Sequence, residues 1–484
     1  MREKYRTIEG KYIDSVLLMQ ISREIEKIKG VSKATCMVAT MENKSFMEIA
    51  GFHPPPVADS SSIIIGVVAE SDEICDEAIN SAMHLIDAGL TQQEKRFTID
   101  DLPQLITPDD FPVVFISTPS EYVYDIANKS LDYGANVHIF SSNVPIEQEL
   151  KLKEKGMRKG LFVMGPDCGT SIIGGKGLGF SNELGSSGDI GIIGSSGTGI
   201  QELSVLLDKN GLGVSYAIGV GSNDLRPPIN GIMTKQALEF LKQRCSAIAV
   251  ISKNPDKRLE MEILELMKDI PSTFISLGKI DHYIAGKTFV TGIIDDGVSY
   301  LISQIGKGNK LNQKSLPPRL NIPDSRKLLR GFFVGGSLCY QAQAILQEKK
   351  IPVYSNAPVD KKFEVYGNYD NLNVCIDTGA EEFVVGKPHP MIDPLSRNSI
   401  LVHESRREDV RVILFDVILG YGSAEDPLAG LEDIETGAAL VASICGTNKD
   451  KQGYDVVTRK LEKLGVTVLE SAAKAAEYAA SLMR

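Results

Sequence analysis

Apolar residues in the first sixty positions recur at two spacings. Leu17, Ile21, Ile25 and Ile28 repeat every three or four residues, the period of a helix with one buried face; Asp14 or Ser15 can cap its start and Gly30 ends it. Positions 31–39 then read as a strand and 41–49 as a weaker helix, stopped by Gly51 and the run Pro54-Pro55-Pro56. Residues 1–60 are therefore expected to form a small α+β unit, with His53 a loop residue beside the proline corner. Beyond them the pattern changes to short continuous apolar runs separated by helical stretches. Strands at 61–70, 113–117, 136–140 and 161–164 alternate with helices at 72–88, 122–133 and 146–155, around a charged loop at 91–110. Apolar runs alternating with helices predict a parallel sheet covered on both faces, here a Rossmann-like domain over 61–185.

The same alternation continues. Strands at 190–193, 213–220, 247–251 and 272–277, with helices after Gly199 and at 232–241 and 260–267, predict a second doubly wound domain over 186–306. The polar, proline-bearing stretch 307–325 reads as a linker. Strands at 331–334 and 410–417 with a helix at 340–346, followed by the segments 440–446, 456–464, 466–469 and 472–482, predict a third α/β domain over 326–484. The fold class is thus α/β, with several Rossmann-like and flavodoxin-like parallel-sheet domains.

Composition narrows the class. At 484 residues the chain is too long for one domain. A net charge of −11 argues against a nucleic-acid-binding face while leaving room for a local anion pocket. Seven cysteines occur singly, without CxxC spacing, so no metal motif is expected and a cytoplasmic, reduced location fits. No apolar run is long enough to cross a membrane.

Chemistry concentrates at glycine turns. The stretch 165–203 holds the loop Gly165-Pro166-Asp167-Cys168-Gly169, an intervening hairpin-like segment, an apolar strand and the turn Gly194-Ser195-Ser196-Gly197-Thr198-Gly199 leading into a helix. Unpaired N–H groups at such a helix start, flanked by small residues, make a phosphate or carboxylate site: Ser195, Ser196, Gly197 and Thr198. A turn of similar composition, Gly420, Gly422 and Ser423, follows the strand at 410–417, and Gly335-Gly336-Ser337 forms a further glycine turn. The 186–306 domain would carry Asn223, Asp224 and Lys253 on its ligand edge, and Ser117 and Ser141 end two strands of 61–185 where an open sheet binds its ligand. No GxGxxG follows the first strand, which weighs against a dinucleotide in the usual pose. His389, Asp393 and Arg397 on a proline-rich loop suit proton transfer and anion binding, or equally form a capped, salt-bridged corner. Asp167 would repel phosphate and is expected to orient backbone or a substrate amide; Cys168, at a strand end in a glycine-rich loop, reads as a buried small residue, with a reactive thiol the alternative. Asp416, Glu425 and Asp426 read as acid/base groups or helix-start carboxylates.

The order of these segments resembles the alpha subunit of succinyl-CoA synthetase, and four segments resemble the FdrA family, a fused relative: 165–171 (GPDCGTS), 194–203 (GSSGTGIQEL), 388–397 (PHPMIDPLSR) and 416–427 (DVILGYGSAEDP). The resemblance implies a succinyl-CoA synthetase-type architecture with 61–185 CoA-binding-like and 186–306 and 326–484 ligase-like. It implies a helix start at 196–198 on the alpha side and another near 422–423 on the beta side, holding one phosphate between them. The synthetase's phosphorylated histidine sits in a Gly-His-Ala-Gly loop, which is missing here; His282 lies in that region and reads as a surface residue. The FdrA resemblance implies a component of a carbamoyltransferase acting on oxamate or oxalurate in allantoin breakdown, with phosphate or carbamoyl phosphate as ligand and no further cofactor required. Two partner proteins are expected, and a homo-oligomer is allowed. The alternatives are an acyl-CoA synthetase-like or CoA-binding protein and a non-catalytic scaffold subunit.

Overall fold

The computed structural model describes residues 1–9, 13, 15–55, 62–91, 98–107, 111–186, 188–279, 281–306, 316–365, 367–384, 388–432 and 434–483. The expected cap at Asp14, Pro56, the 60/61 boundary, parts of the 91–110 loop and residues 307–315 of the linker lie outside them. The chain divides into two compact units, residues 1–98 with 381–389 and residues 99–380 with 390–484.

The first unit is built on a three-stranded antiparallel sheet. Ile63–Ala69 is its central strand, paired with Arg2–Ile8 on one side and Val31–Val38 on the other. This corrects the expectation that the apolar run at 61–70 opens the parallel sheet of 61–185. Both faces of the strand are covered: Ile63, Ile65 and Val67 pack with Ile21, Ile25 and Ala78 of helices Ser15–Glu26 and Asp72–Thr91, and Ile64 packs with Ala39, Met47 and Phe52. A strand buried on both faces carries a continuous apolar run whichever way its partners point, so the run alone does not reveal their direction. Arg2–Ile8 (REKYRTI) escapes the sequence reading because most of its side chains remain accessible at the sheet edge.

The second unit holds three sheets. Val113–Ile116, Asn136–Ile139 and Val163–Met164 form a short parallel sheet. Ile190–Gly194 lies near the middle of an eight-stranded sheet, between Ala247–Lys253 and Val214–Gly219 and parallel to both. The hairpin Thr170–Ile173/Lys176–Gly179 extends that sheet at one edge; Tyr283–Ala285 and Thr288–Thr291, unread in the sequence, extend it at the other. The third sheet is wholly parallel, in the order Val374–Asp377, Leu328–Phe333, Val410–Ile418, Ala439–Cys445, Val466–Leu469. One face of the eight-stranded sheet shares a core with the short sheet, around Val137, Ile193 and Phe274. Its other face packs helices Gly197–Lys209 and Ile294–Ile305, through Leu203, Leu207 and Val298. Helices Gly336–Glu348 and Ala472–Leu482 cover the third sheet.

A buried polar seam joins the second and third sheets' helices. Glu202 accepts the N–H of Ala472 (2.9 Å), and Ser471 donates to Asp295 (2.6 Å) while capping the last helix at Lys474 N (3.2 Å). Burial pushes the Asp295 carboxyl up to about 7, against the Ser471 hydrogen bond and with Glu202 adding to the rise. The folded form therefore keeps this proton up to about pH 7, whereas an unfolded aspartate releases it near pH ~3.9. The Asp295 contribution to stability accordingly falls as pH rises from about 4 to about 7 and is level above that. Asp295→Asn should gain stability relative to the parent between pH 5 and pH 8 in urea titrations; an unchanged difference at the two pH values would contradict the assignment.

Candidate functional site

The turn after Ile190–Gly194 is shaped by small residues. A Cβ at Gly194 would overlap Ile200, so only glycine lets the helix Gly197–Lys209 return so closely over its strand. Ser196 caps the helix, its Oγ accepting from Gly199 N (3.3 Å). The loop 165–169 lies against this turn: a Cβ on Gly197 would stand 3.2 Å from Thr170 Oγ1 and 3.3 Å from Gly169 Cα. The two halves of the stretch 165–203 are thus neighbours in space.

A second helix start faces the first. Helix Gly336–Glu348 begins at the turn Gly335-Gly336-Ser337; Ser337 Oγ and Ser196 Oγ share a short hydrogen bond, and Ser337 N donates to Thr198 Oγ1 (3.3 Å). The N–H groups of Gly197, Thr198 and Gly336 have no protein acceptor among the described residues. Two helix N-termini carry partial positive charge of the same sign, which an anion between them would offset; the carboxylates of Asp416 and Asp377 already stand at the second of them.

The second turn is held from behind. Asp416, fully buried, accepts from Val334 N and Gly335 N, each at 2.7 Å. Arg397 stands 3.5 Å from Asp416 Oδ1 and donates to the carbonyls of Asp416 (2.8 Å) and Phe332 (3.2 Å). Burial pushes the Asp416 carboxyl up and Arg397 opposes that; burial lowers the Arg397 guanidinium to about 10.

Polar side chains gather beside the helix ends. Ser195 donates to Ser252 (3.0 Å). Lys253 ends its strand with its ammonium 5.8 Å from the Tyr340 ring centroid; a Cβ on Gly336 would overlap the Asp377 carboxylate and stand 3.1 Å from Lys253 Nζ, so both charges border that helix start. Asp167 adopts φ 58°, its N–H donating to Ser141 O (3.0 Å). Its carboxyl is crowded by protein yet open to solvent; burial raises its affinity for a proton, while Lys253 and a hydrogen bond from Ser222 lower it.

The beta-side helix start expected at Gly422-Ser423 is not one. Among the described residues no helix follows Val410–Ile418 directly; the next element is the strand Ala439–Cys445. The loop is a joint instead. A Cβ on Gly420 would overlap Ser181 O, one on Gly422 would stand 2.8 Å from Phe180, and Tyr421 N donates to Ser181 O (2.7 Å). Asn182 continues the joint to Leu419 O and Asp450, both at 2.9 Å. The helix facing Ser196 belongs to Gly335-Gly336-Ser337. The sequence showed that glycine turn, but with the helix placed from 340 its start fell four residues late and away from the turn.

The expected loop triad also differs. His389 belongs to the first unit, where burial lowers its imidazole to about 4; Asp393 and Arg397 belong to the second. Arg397 is not presented on a loop: it lies in helix Leu395–Ser405, 2% exposed, and supports the turn before the second helix. Asp393 is buried just before that helix, its carbonyl accepting from Ser396 Oγ (2.8 Å). Ser117 is exposed at the end of its strand, and Ser141 donates to Thr118 O (2.6 Å). Asp224 is enclosed, binding Lys153 (3.0 Å) and the start of helix Ile232–Lys242 at Thr234 N (2.9 Å); Asn223 donates to Glu149 (3.0 Å). Cys168 is buried and its thiol pushed up to about 12. Glu425 and Asp426 pair with Lys451 and Lys460 at the surface.

Comparison with known proteins follows this geometry. A family described as CoA-ligase matches residues 332–482, a CoA binding domain matches 186–274, and a family described as AllF, heavy metal-associated domain, matches 1–100. The uncharacterized protein YahF of Escherichia coli is 34% identical over 489 residues, covering 95% of this chain and 94% of that one. The chain belongs to the YahF family. Succinate–CoA ligase alpha subunits match in part: that of Methanothermobacter thermautotrophicus is 28% identical over 144 residues, 29% of this chain and 48% of the relative. Among solved structures, a dinucleotide-forming acetyl-coenzyme A synthetase of Ca. Korarchaeum cryptofilum covers 78% of this chain and 83% of its own at 16% identity and a TM-score of 0.32. The chain is thus a succinyl-CoA synthetase-like α/β protein with CoA-ligase and CoA-binding domains. The metal in the description of the first domain finds no fit: among the described residues no group of His, Cys, Asp and Glu is placed to hold one, and Cys36 and Cys75 are buried. No helix of the described residues is long and apolar enough to cross a membrane.

Because Arg397 compensates Asp416, Arg397→Met should lower unfolding stability in urea by about 3 kcal/mol. A loss within experimental error would show that the two backbone N–H groups hold Asp416 alone.

Proposed function

We propose that this chain is a subunit of a carbamoyltransferase that exchanges a carbamoyl group between carbamoyl phosphate and oxamate, acting with two partner proteins. The observation that carries the proposal is the meeting of the two helix N-termini at Ser196–Thr198 and Gly336–Ser337. An anion there gains the N–H groups of Gly197, Thr198 and Gly336 and two helix dipoles, a preorganised stabiliser for a departing phosphate. Oxamate nitrogen attacks the carbonyl carbon, the C–O bond to the phosphoryl group breaks, and its electron pair leaves with phosphate. The proton lost by the nitrogen goes to that phosphate, giving oxalurate and hydrogen phosphate. No nucleophile from the protein is required, because the carbamoyl group arrives activated. The match of residues 1–100 to a family named for AllF supports an allantoin-related role.

A phosphohistidine relay, which ATP-driven CoA ligation would need, has little to build on. In the second unit His138 is buried and bonded to Cys168 O (2.8 Å), His282 is exposed beside Phe289, and His403 is exposed beside Glu404. CoA binding remains a second reading. It is favoured by the exposed ring of Phe115, stacked on His138 at 4.7 Å and next to Ser117 at a sheet edge, where an adenine can stack.

The test is phosphate release from carbamoyl phosphate, with the chain alone and with its neighbouring gene products. Release should depend on oxamate and fall at least about a hundredfold in Gly197→Val, which blocks approach to the N–H groups. Oxamate-independent release, or CoA-dependent turnover of ATP instead, would reject the proposal.

A further inference from the structure

Two buried carboxyls face one helix start across the seam between the eight-stranded and five-stranded sheets. Glu202 lies in helix Gly197–Lys209 and Asp295 in helix Ile294–Ile305, 1% and 7% exposed. They hold consecutive residues on the far side: Glu202 accepts from Ala472 N (2.9 Å), and Asp295 Oδ1 accepts from Ser471 Oγ (2.6 Å). The same hydroxyl caps helix Ala472–Leu482 at Lys474 N (3.2 Å), so both contacts converge on that helix start. The seam is incompletely paired. Asp295 Oδ2 and Gln341 Nε2 are buried without a hydrogen-bond partner, although Gln341 Oε1 accepts from Ile294 N (2.8 Å) next to Asp295. Among the described residues neither carboxyl forms an ion pair, and the nearby cations are engaged elsewhere. Lys474 pairs with Glu477 (3.0 Å), and the Lys209 ammonium lies 4.0 Å from the Tyr454 ring centroid. The other ionisable groups around the pair, Asp296, Asp416, Cys445 and Glu470, add no positive charge. Two carboxyls so placed cannot both ionise without a large cost.

We propose that the start of helix Ala472–Leu482 is a proton-sensitive latch: Asp295 and Glu202 hold Ser471 and Ala472 while at most one of the two carboxyls is ionised, and the hold weakens when both are. Burial, opposed by the Ser471 hydrogen bond and reinforced by Glu202, pushes the Asp295 carboxyl up to about 7; burial raises Glu202 as well. In the released state water surrounds Asp295, which then titrates near ~3.9. The closed form thus binds the extra proton, and closure weakens as pH rises from about 4 to about 7 and is level above that. Helix Ala472–Leu482 shares a core with helix Gly336–Glu348 through Ala476, Ala479, Leu338 and Ala342. Release therefore loosens the helix whose start meets Ser196.

Hydrogen–deuterium exchange of the full chain from pH 5 to pH 9, corrected for the intrinsic pH dependence of exchange, follows the latch in a peptide spanning 466–482. Protection of this peptide in the parent should fall about tenfold or more between pH 5 and pH 8 and change little beyond. Asp295→Asn keeps an acceptor for Ser471 without the charge and should hold protection level across the range. Glu202→Gln keeps the acceptor for Ala472 and should make the fall smaller, which carries the test if Asp295→Asn does not fold. Helix Tyr454–Lys463, which neither carboxyl holds, is the control and should keep its protection. Constant protection of 466–482 in the parent, or an undiminished fall in either variant, would overturn the inference. So would an equal fall in the control helix, which would mark global unfolding in place of a local latch.

Discussion

The second unit is organised around the meeting of two helix N-termini. Helices Gly197–Lys209 and Gly336–Glu348 bring their positive ends together; the hydroxyls of Ser196, Ser337 and Thr198 bridge them, and the carboxylates of Asp416 and Asp377 stand beside the second helix start. The cores on either side hold the helices in place regardless. Leu203 and Leu207 pack the first against the eight-stranded sheet, and Leu338 and Ala342 pack the second against the parallel five-stranded one. Asp416 and Arg397 fix the second turn from behind through main-chain bonds. Hydrophobic burial thus maintains the arrangement, and an anion between the ends would offset their charge further.

This arrangement explains why the polar neighbours differ in kind. Asp224, Glu149 and Lys153 are enclosed and satisfied by one another, and they brace the loop after Val214–Gly219. Asp167 and Ser222 are exposed and hydrogen-bonded to each other, and Lys253 is half-buried. The same contrast separates the two glycine turns singled out in the sequence. Gly197 borders unpaired N–H groups, whereas Gly420 is consumed by its close approach to Ser181.

Much of the fold was legible because burial on two faces leaves an unbroken apolar run, as in Ile190–Gly194 and Val410–Ile418. Direction and partnership were not: Ile63–Ala69 carries the same kind of run and lies in an antiparallel sheet with strands before it in the chain. Edge strands such as Arg2–Ile8 and Tyr283–Ala285 leave side chains in solvent and so lose the signal. At the site, the turn 194–199 could be read from glycines and hydroxyls after a strand. Its counterpart was misplaced because GYGSAEDP follows the more apolar strand, while LLRGFF carries the charged Arg330, which is paired with Glu404 (2.8 Å) and wholly buried. Arg397 was open to a catalytic or a salt-bridged structural reading in sequence, because burial cannot be read from a proline-rich loop; its place beside Asp416 favours the second.

If the two helix ends hold one small dianion, a crystal of the full chain soaked in phosphate should show it there: a tetrahedral anion in contact with the N–H groups of Gly197 and Gly336 and with Lys253 Nζ, the helix ends otherwise in place. Phosphate bound elsewhere, or the two ends unoccupied at a concentration that saturates binding in solution, would contradict it.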